Sequence, residues 1–147
     1  MDHETCIGVL GGGQLGRMMA FDARRMGYRV IMWTGGDDSG AARLADHTLT
    51  DTFDSESAFL EFTNTAQLAT VEFENIPSEL IHRVGTKIPV MPSTKAVSIC
   101  QDREKEKKFL RSHQIPTTDF EIVHDSGSIK LALAQIIGCF ILNTARE

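Results

Sequence analysis

The stretch CIGVLGGGQLGRMM (6–19) joins a short apolar run to four glycines, Gly11, Gly12, Gly13 and Gly16. An apolar run ending in glycine reads as a buried parallel strand. Leu15, Met18, Met19 and Met26 then fall at helical spacing, with Gly27 placed to cap the helix. Strand, glycine turn and helix in that order commit this part of the chain to a parallel sheet with crossover helices. Gly11 and Gly13 permit a tight turn and close approach to the backbone, and Gly16 lets the helix pack on the sheet. The helix N-terminus behind them presents free N–H groups to an anion or a polar group.

Gly11, Gly13 and Gly16 also fit the dinucleotide frame G-x-G-x-x-G, which wants an acidic residue at the end of the second strand for the ribose hydroxyls. Thr34 holds that position, and Asp37 and Asp38 lie further on in a loop. The fingerprint is incomplete, so a nicotinamide or flavin enzyme ranks last among the readings below.

Further strands are expected at YRVIMW (28–33), weakly at 47–50, at LATVEF (68–73) and at IPVMP (88–92). Between them, GGDDSG (35–40) is a loop and AARLAD (41–46) one or two helical turns. Asp54 or Ser55 caps a helix carrying Ala58, Phe59, Phe62 and Ala66, and a short helix with Pro77 in its first turn lies within 75–84. The alternation predicts an α/β fold, a doubly wound parallel sheet, over residues 1–92.

Residues 93–116 read as a helical linker: Ser93 caps a helix over 94–100, Asp102 caps one over 103–113, and Pro116 bars its continuation. TTDFEIV (117–123) alternates as a strand should, 126–138 is expected to be a helix, and CFILN (139–143) a strand. Residues 117–147 would then open a second domain, too short to cover both faces of its strands.

A formal net charge of -5 argues against a nucleic-acid partner. The sequence holds no long apolar span for a membrane, and MDHETC lacks the features of a signal peptide. Cys6, Cys100 and Cys139 form no C-x-x-C pair, which suits reduced thiols in the cytoplasm and not a zinc site. The five histidines show no ligand spacing and read as surface or capping residues.

Two stretches carry candidate chemistry. In VEFENIP (71–77), Glu72 and Glu74 stand at the carboxyl end of a strand, where open α/β sheets place ligands. Either both face a cleft beside the glycine loop, where a carboxylate suits a ribose diol, or one is solvated and the other caps the next helix. In CQDREKEKKFL (100–110) most charges read as a solvated helix face with i,i+4 pairs. Arg103, at the start of that helix, stands apart from them.

Taken together, IGVLGGGQLGRMMAFDARRMGYRV, TVEFENIP, MPSTKAVSICQDREKEKKFLRSHQIPT and GCFILNTAR resemble the 5-(carboxyamino)imidazole ribonucleotide synthetase family of the ATP-grasp superfamily, over nearly the whole chain. The resemblance implies a Rossmann-like pre-ATP-grasp domain followed by an incomplete ATP-grasp subdomain. It implies that Gly12, Gly13, Gln14 and Leu15 of the loop, with Glu72, bind aminoimidazole ribonucleotide, and that Arg103 contacts ATP. The implied reaction activates bicarbonate with ATP and magnesium and transfers the carboxyl group to the exocyclic amine. Where the family has a lysine for the ATP phosphates, this sequence has Asn143, which carries no charge. The family's phosphate loop, magnesium ligands and phosphate-binding basic residues fall beyond TARE (144–147). The expectation is a truncated ligase, inactive alone and binding ATP and magnesium poorly. The alternative is a non-catalytic module that self-associates or pairs with a partner chain through 117–147.

Overall fold

The β-branched and aromatic residues of the apolar runs pair into five strands: β1 (Cys6–Leu10), β2 (Arg29–Trp33), β3 (His47–Leu49), β4 (Leu68–Val71) and β5 (Val90–Met91). They form one sheet, parallel throughout, in the order β3-β2-β1-β4-β5. The computed structural model describes residues 5–36, 43–135, 141 and 143–145. It divides into two compact units, 1–97 and 98–147.

Strand alternation sorts the first unit's core into two layers. Cys6, Leu10, Ile31, Trp33 and Ala69 face α2 (Glu56–Thr65) and α3 (Ser78–Gly85), meeting Phe59, Phe62, Ile81 and Val84. Val97, from α4 (Thr94–Cys100), joins this layer. Val9, Val30 and Met32 face the other way, onto Ala20 and Ala23 of α1 (Gln14–Arg25). The buried face of α1 is therefore Gly16, Ala20 and Ala23, small residues that let the helix lie close to the sheet, while Leu15, Met18 and Met26 are exposed. Gly27 takes the left-handed conformation, φ 89°, just past the helix end. Ser55 caps α2 by accepting from the Ala58 N–H. Of the one or two helical turns expected over 41–46, residues 43–44 are 3-10 helical, and 41–42 lie outside the described residues.

In the second unit, α5 (Arg103–Ser112) begins at Asp102, whose carboxylate accepts from the Lys105 N–H at 3.0 Å. The expected strand over 117–123 does not form. Among the described residues no strand lies beside this segment, and side chains of α5 hold it instead. Lys107 Nζ donates to Thr117 Oγ1 at 2.6 Å, Arg111 donates to the Phe120 carbonyl at 3.0 Å, and its guanidinium lies 3.9 Å from the Phe120 ring centre. The helix α6 (Ser126–Gln135) follows, and the expected strand over 139–143 falls largely outside the described residues. Among the described residues no helix is long and apolar enough to cross a membrane.

Candidate functional site

The strand order reverses direction at β1. The chain leaves β1 for β2 on one side and returns through α2 to β4 on the other. The carboxyl ends of β1 and β4 therefore lie side by side at the switch point, the place where open α/β sheets form their ligand crevice. Two backbone bonds shape this corner. The Gly11 N–H donates to the Trp33 carbonyl and the Glu72 N–H donates to the Leu10 carbonyl, each at 2.8 Å. The β1–β4 ladder ends at Leu10 opposite Val71, because the glycine turn carries the chain away from β4. Glu72 is thus the first residue past the strand.

From there its side chain reaches the glycine loop. Oε2 of Glu72 accepts from the Gly13 N–H at 3.1 Å, and Oε1 accepts from the Leu15 N–H at 3.2 Å. Both donors belong to the open end of α1, where the backbone dipole favours a negative charge. Gly13 is the N-cap residue and has no side chain to satisfy these groups, so a residue 59 positions away does so. The glycines make room for it. A Cβ on Gly13 would stand 2.5 Å from Oε1 of Glu72, and one on Gly16 3.3 Å from Cγ. Gly11 has φ 111°, and a Cβ there would lie 2.8 Å from the Cβ of Glu72 and 3.1 Å from the Phe73 ring. The close approach that the glycines were expected to allow a ligand is made by the protein's own carboxylate.

Gly12 is buried within this turn, whereas Gln14 and Leu15 are exposed at its mouth. The loop residues and Glu72 are thus brought together. Glu72 and Glu74 are not a same-face strand pair, since β4 ends at Val71 and the chain bends through 72–75. Phe73, 38% exposed against Gly11, was not singled out in the sequence reading, although it lies inside VEFENIP. At the end of β2, Thr34 is buried and its hydroxyl bonds the Leu49 carbonyl, while the Phe53 ring lies directly against Gly35. Asp37 and Asp38 lie outside the described residues.

In the second unit, Arg103 donates to Glu106 at 2.7 Å, and its backbone N–H donates to the Ala145 carbonyl at 2.7 Å. The charged run of α5 pairs as spacing predicts, Lys108 with Glu104 at 2.6 Å, and that bond holds the Glu104 carboxyl below its ordinary range. Burial pushes the Cys6 thiol up. His47 pairs with Glu61 at 2.6 Å and His113 stacks on Phe109, both at the surface. Among the described residues no group of three His, Cys, Asp or Glu could hold a metal ion.

The fold and this corner define a class that comparison makes explicit. The family model described as the ribonucleotide synthetase preATP-grasp domain matches residues 4–101. The chain belongs to that family. It is 35% identical over 142 residues to the N5-carboxyaminoimidazole ribonucleotide synthase of Brucella melitensis, covering 97% of this chain and 39% of that protein. The N5-carboxyaminoimidazole synthetase of Staphylococcus aureus, solved with ADP, superposes with a TM-score of 0.85 at 31% identity, over 97% of this chain and 39% of the other. The synthase of Aspergillus clavatus, solved with ADP and 5-aminoimidazole ribonucleotide, gives 0.76 at 28% identity over 92% and 37%. The 147 residues thus span about two fifths of the length of these relatives.

Proposed function

We propose that this chain is the substrate-side portion of an ATP-dependent ligase that carboxylates 5-aminoimidazole ribonucleotide with bicarbonate in purine biosynthesis. The observation that carries the reading is the junction of Glu72 with the Gly11–Gly16 loop at the sheet's switch point. A carboxylate held there by two backbone N–H groups keeps lone pairs for the hydroxyls of a ribose. Gly12 and Gly13 form the same turn, and Gln14 and Leu15 are exposed at its mouth. The start of an ATP-grasp fold within 117–147, an ATP contact at Arg103, magnesium on the phosphates and a cytoplasmic setting belong to the same reading.

A polypeptide of these 147 residues alone binds the ribonucleotide weakly and does not turn over ATP. Its one proposed ATP contact is paired with Glu106, and Asn143 supplies no cation. Titration of the chain with 5-aminoimidazole ribonucleotide, followed by calorimetry, tests the site. Saturable binding lost in Glu72→Ala is expected, and undiminished binding in that variant refutes the assignment.

A second reading is favoured by the apolar surface of the second unit. Leu131 is 71% exposed and Ile141 91% exposed, and among the described residues no strand pairs with 117–123. These residues suit self-association or a partner chain. A monomer by sedimentation at high concentration would count against the self-associating form.

A further inference from the structure

A glycine turn leading from a strand into a helix is the arrangement in which dinucleotide-binding sheets hold a pyrophosphate. Here two N–H groups that would face such a ligand, those of Gly13 and Leu15, already donate to the carboxylate of Glu72. The turn is fitted to that carboxylate, since a Cβ on either Gly11 or Gly13 would collide with it. At the end of β2, Phe53 covers Gly35 and the buried Thr34 bonds the Leu49 carbonyl, so among the described residues no acidic group stands at that position for an adenosine ribose. We infer that Glu72 is a specificity-determining residue, the resident anion of the glycine loop, which excludes phosphate and pyrophosphate groups from α1 and leaves the loop to neutral groups that donate hydrogen bonds. An entering phosphate would have to displace the carboxylate from the same donors or sit against it as a like charge in a half-buried corner. Which neutral group is admitted rests on the substrate reading above; the exclusion of anions does not.

Inorganic pyrophosphate is the probe, titrated into the 147-residue chain and its Glu72→Gln and Glu72→Ala variants while the Gly13 and Leu15 amide signals are followed by NMR. The wild-type amides should stay in place at millimolar pyrophosphate. Both should move in Glu72→Ala, with affinity raised at least tenfold, and Glu72→Gln, which removes the charge and keeps the shape, should show an intermediate gain. Equal affinity within twofold in all three proteins, or no binding in any, overturns the inference. Should Glu72→Ala fail to fold, Glu72→Gln decides alone, and the absence of any gain there is equally fatal. Gain of pyrophosphate binding with unchanged affinity for 5-aminoimidazole ribonucleotide would leave the exclusion standing and sink only the substrate reading.

Discussion

Placing a methyl group on Gly13 probes the loop–carboxylate junction most directly. Gly13 sits at φ -78°, ψ -166°, extended backbone that alanine adopts without strain. Restricting the unfolded chain stabilises such a substitution by about 0.4–1 kcal/mol. Alanine is a poorer N-cap than glycine by an opposing amount of about 0.5–1 kcal/mol, so the backbone terms nearly cancel. What remains is the contact at 2.5 Å between the new Cβ and Oε1 of Glu72. The carboxylate must swing away and give up its bonds to Gly13 and Leu15, which are charge-assisted, but the first is only half-buried and the second is exposed. Losing them costs about 1–2 kcal/mol, at the low end for bonds to charged groups because water replaces them in part. Gly13→Ala should therefore cost about 1–2 kcal/mol in the wild-type background and within about 0.5 kcal/mol of nothing in Glu72→Ala, where the bonds are already gone. Trp33, the single tryptophan and fully buried in the first unit, reports unfolding in urea by its fluorescence. Equal costs of Gly13→Ala in the two backgrounds would refute the coupling.

Two further outcomes follow from the packing and the charges. Gly8, in the middle of β1, faces Phe62, and a Cβ there would lie 2.5 Å from the ring and 3.0 Å from the Ala66 methyl. Gly8→Ala should thus destabilise by about 1–3 kcal/mol, with at least about 1 kcal/mol recovered when Phe62→Leu is added, and additive urea midpoints would show that the ring is not the obstacle. In the second unit Asp125 accepts from the Ser128 N–H at 2.8 Å at the start of α6, which holds its carboxyl below the ordinary range. A depressed folded-state pKa stabilises above the unfolded value, so α6 should keep its cap at neutral pH and fray as pH falls through the acidic range. The Asp125 side-chain carbon shift, followed by NMR, should titrate below that of aspartate in a short peptide, and a midpoint at or above the peptide value would contradict the cap.

The first unit was legible because its central strands β1 and β2 are buried on both faces and read as apolar runs, with glycine, Ser55 and Pro77 marking the turns between. The pattern misplaced the end of β4. Phe73 extends the apolar run, but β1 has already turned away after Leu10, so no ladder partner is left beyond Val71. Strand termini are set by the neighbour, and the neighbour's turn is not visible in the strand's own residues. TTDFEIV failed for a related reason: its alternation is real, but among the described residues no strand lies beside it, and Lys107, Arg111 and the Phe120 ring fix the segment on α5. On α1 the large apolar residues suggested the buried stripe, yet the sheet takes Gly16, Ala20 and Ala23, because only small side chains allow that approach.

The glycine frame was the hardest feature to read, and the structure shows why its spacing underdetermines what it holds. A turn that brings the first N–H groups of a helix to a strand end needs small residues whether the anion it receives is a bound pyrophosphate or a side chain. Within such a sheet the choice falls to the neighbouring strand, since β4 ends beside β1 and its first following residue lies within one side chain's reach of the helix N-terminus. A glycine or alanine at that residue would leave both N–H groups to a ligand. A glutamate is long enough to take both, and Glu72 takes both. The identity of a residue 57–59 positions downstream thus decides what the loop at 11–16 can bind, through a contact that only the parallel order of the strands creates.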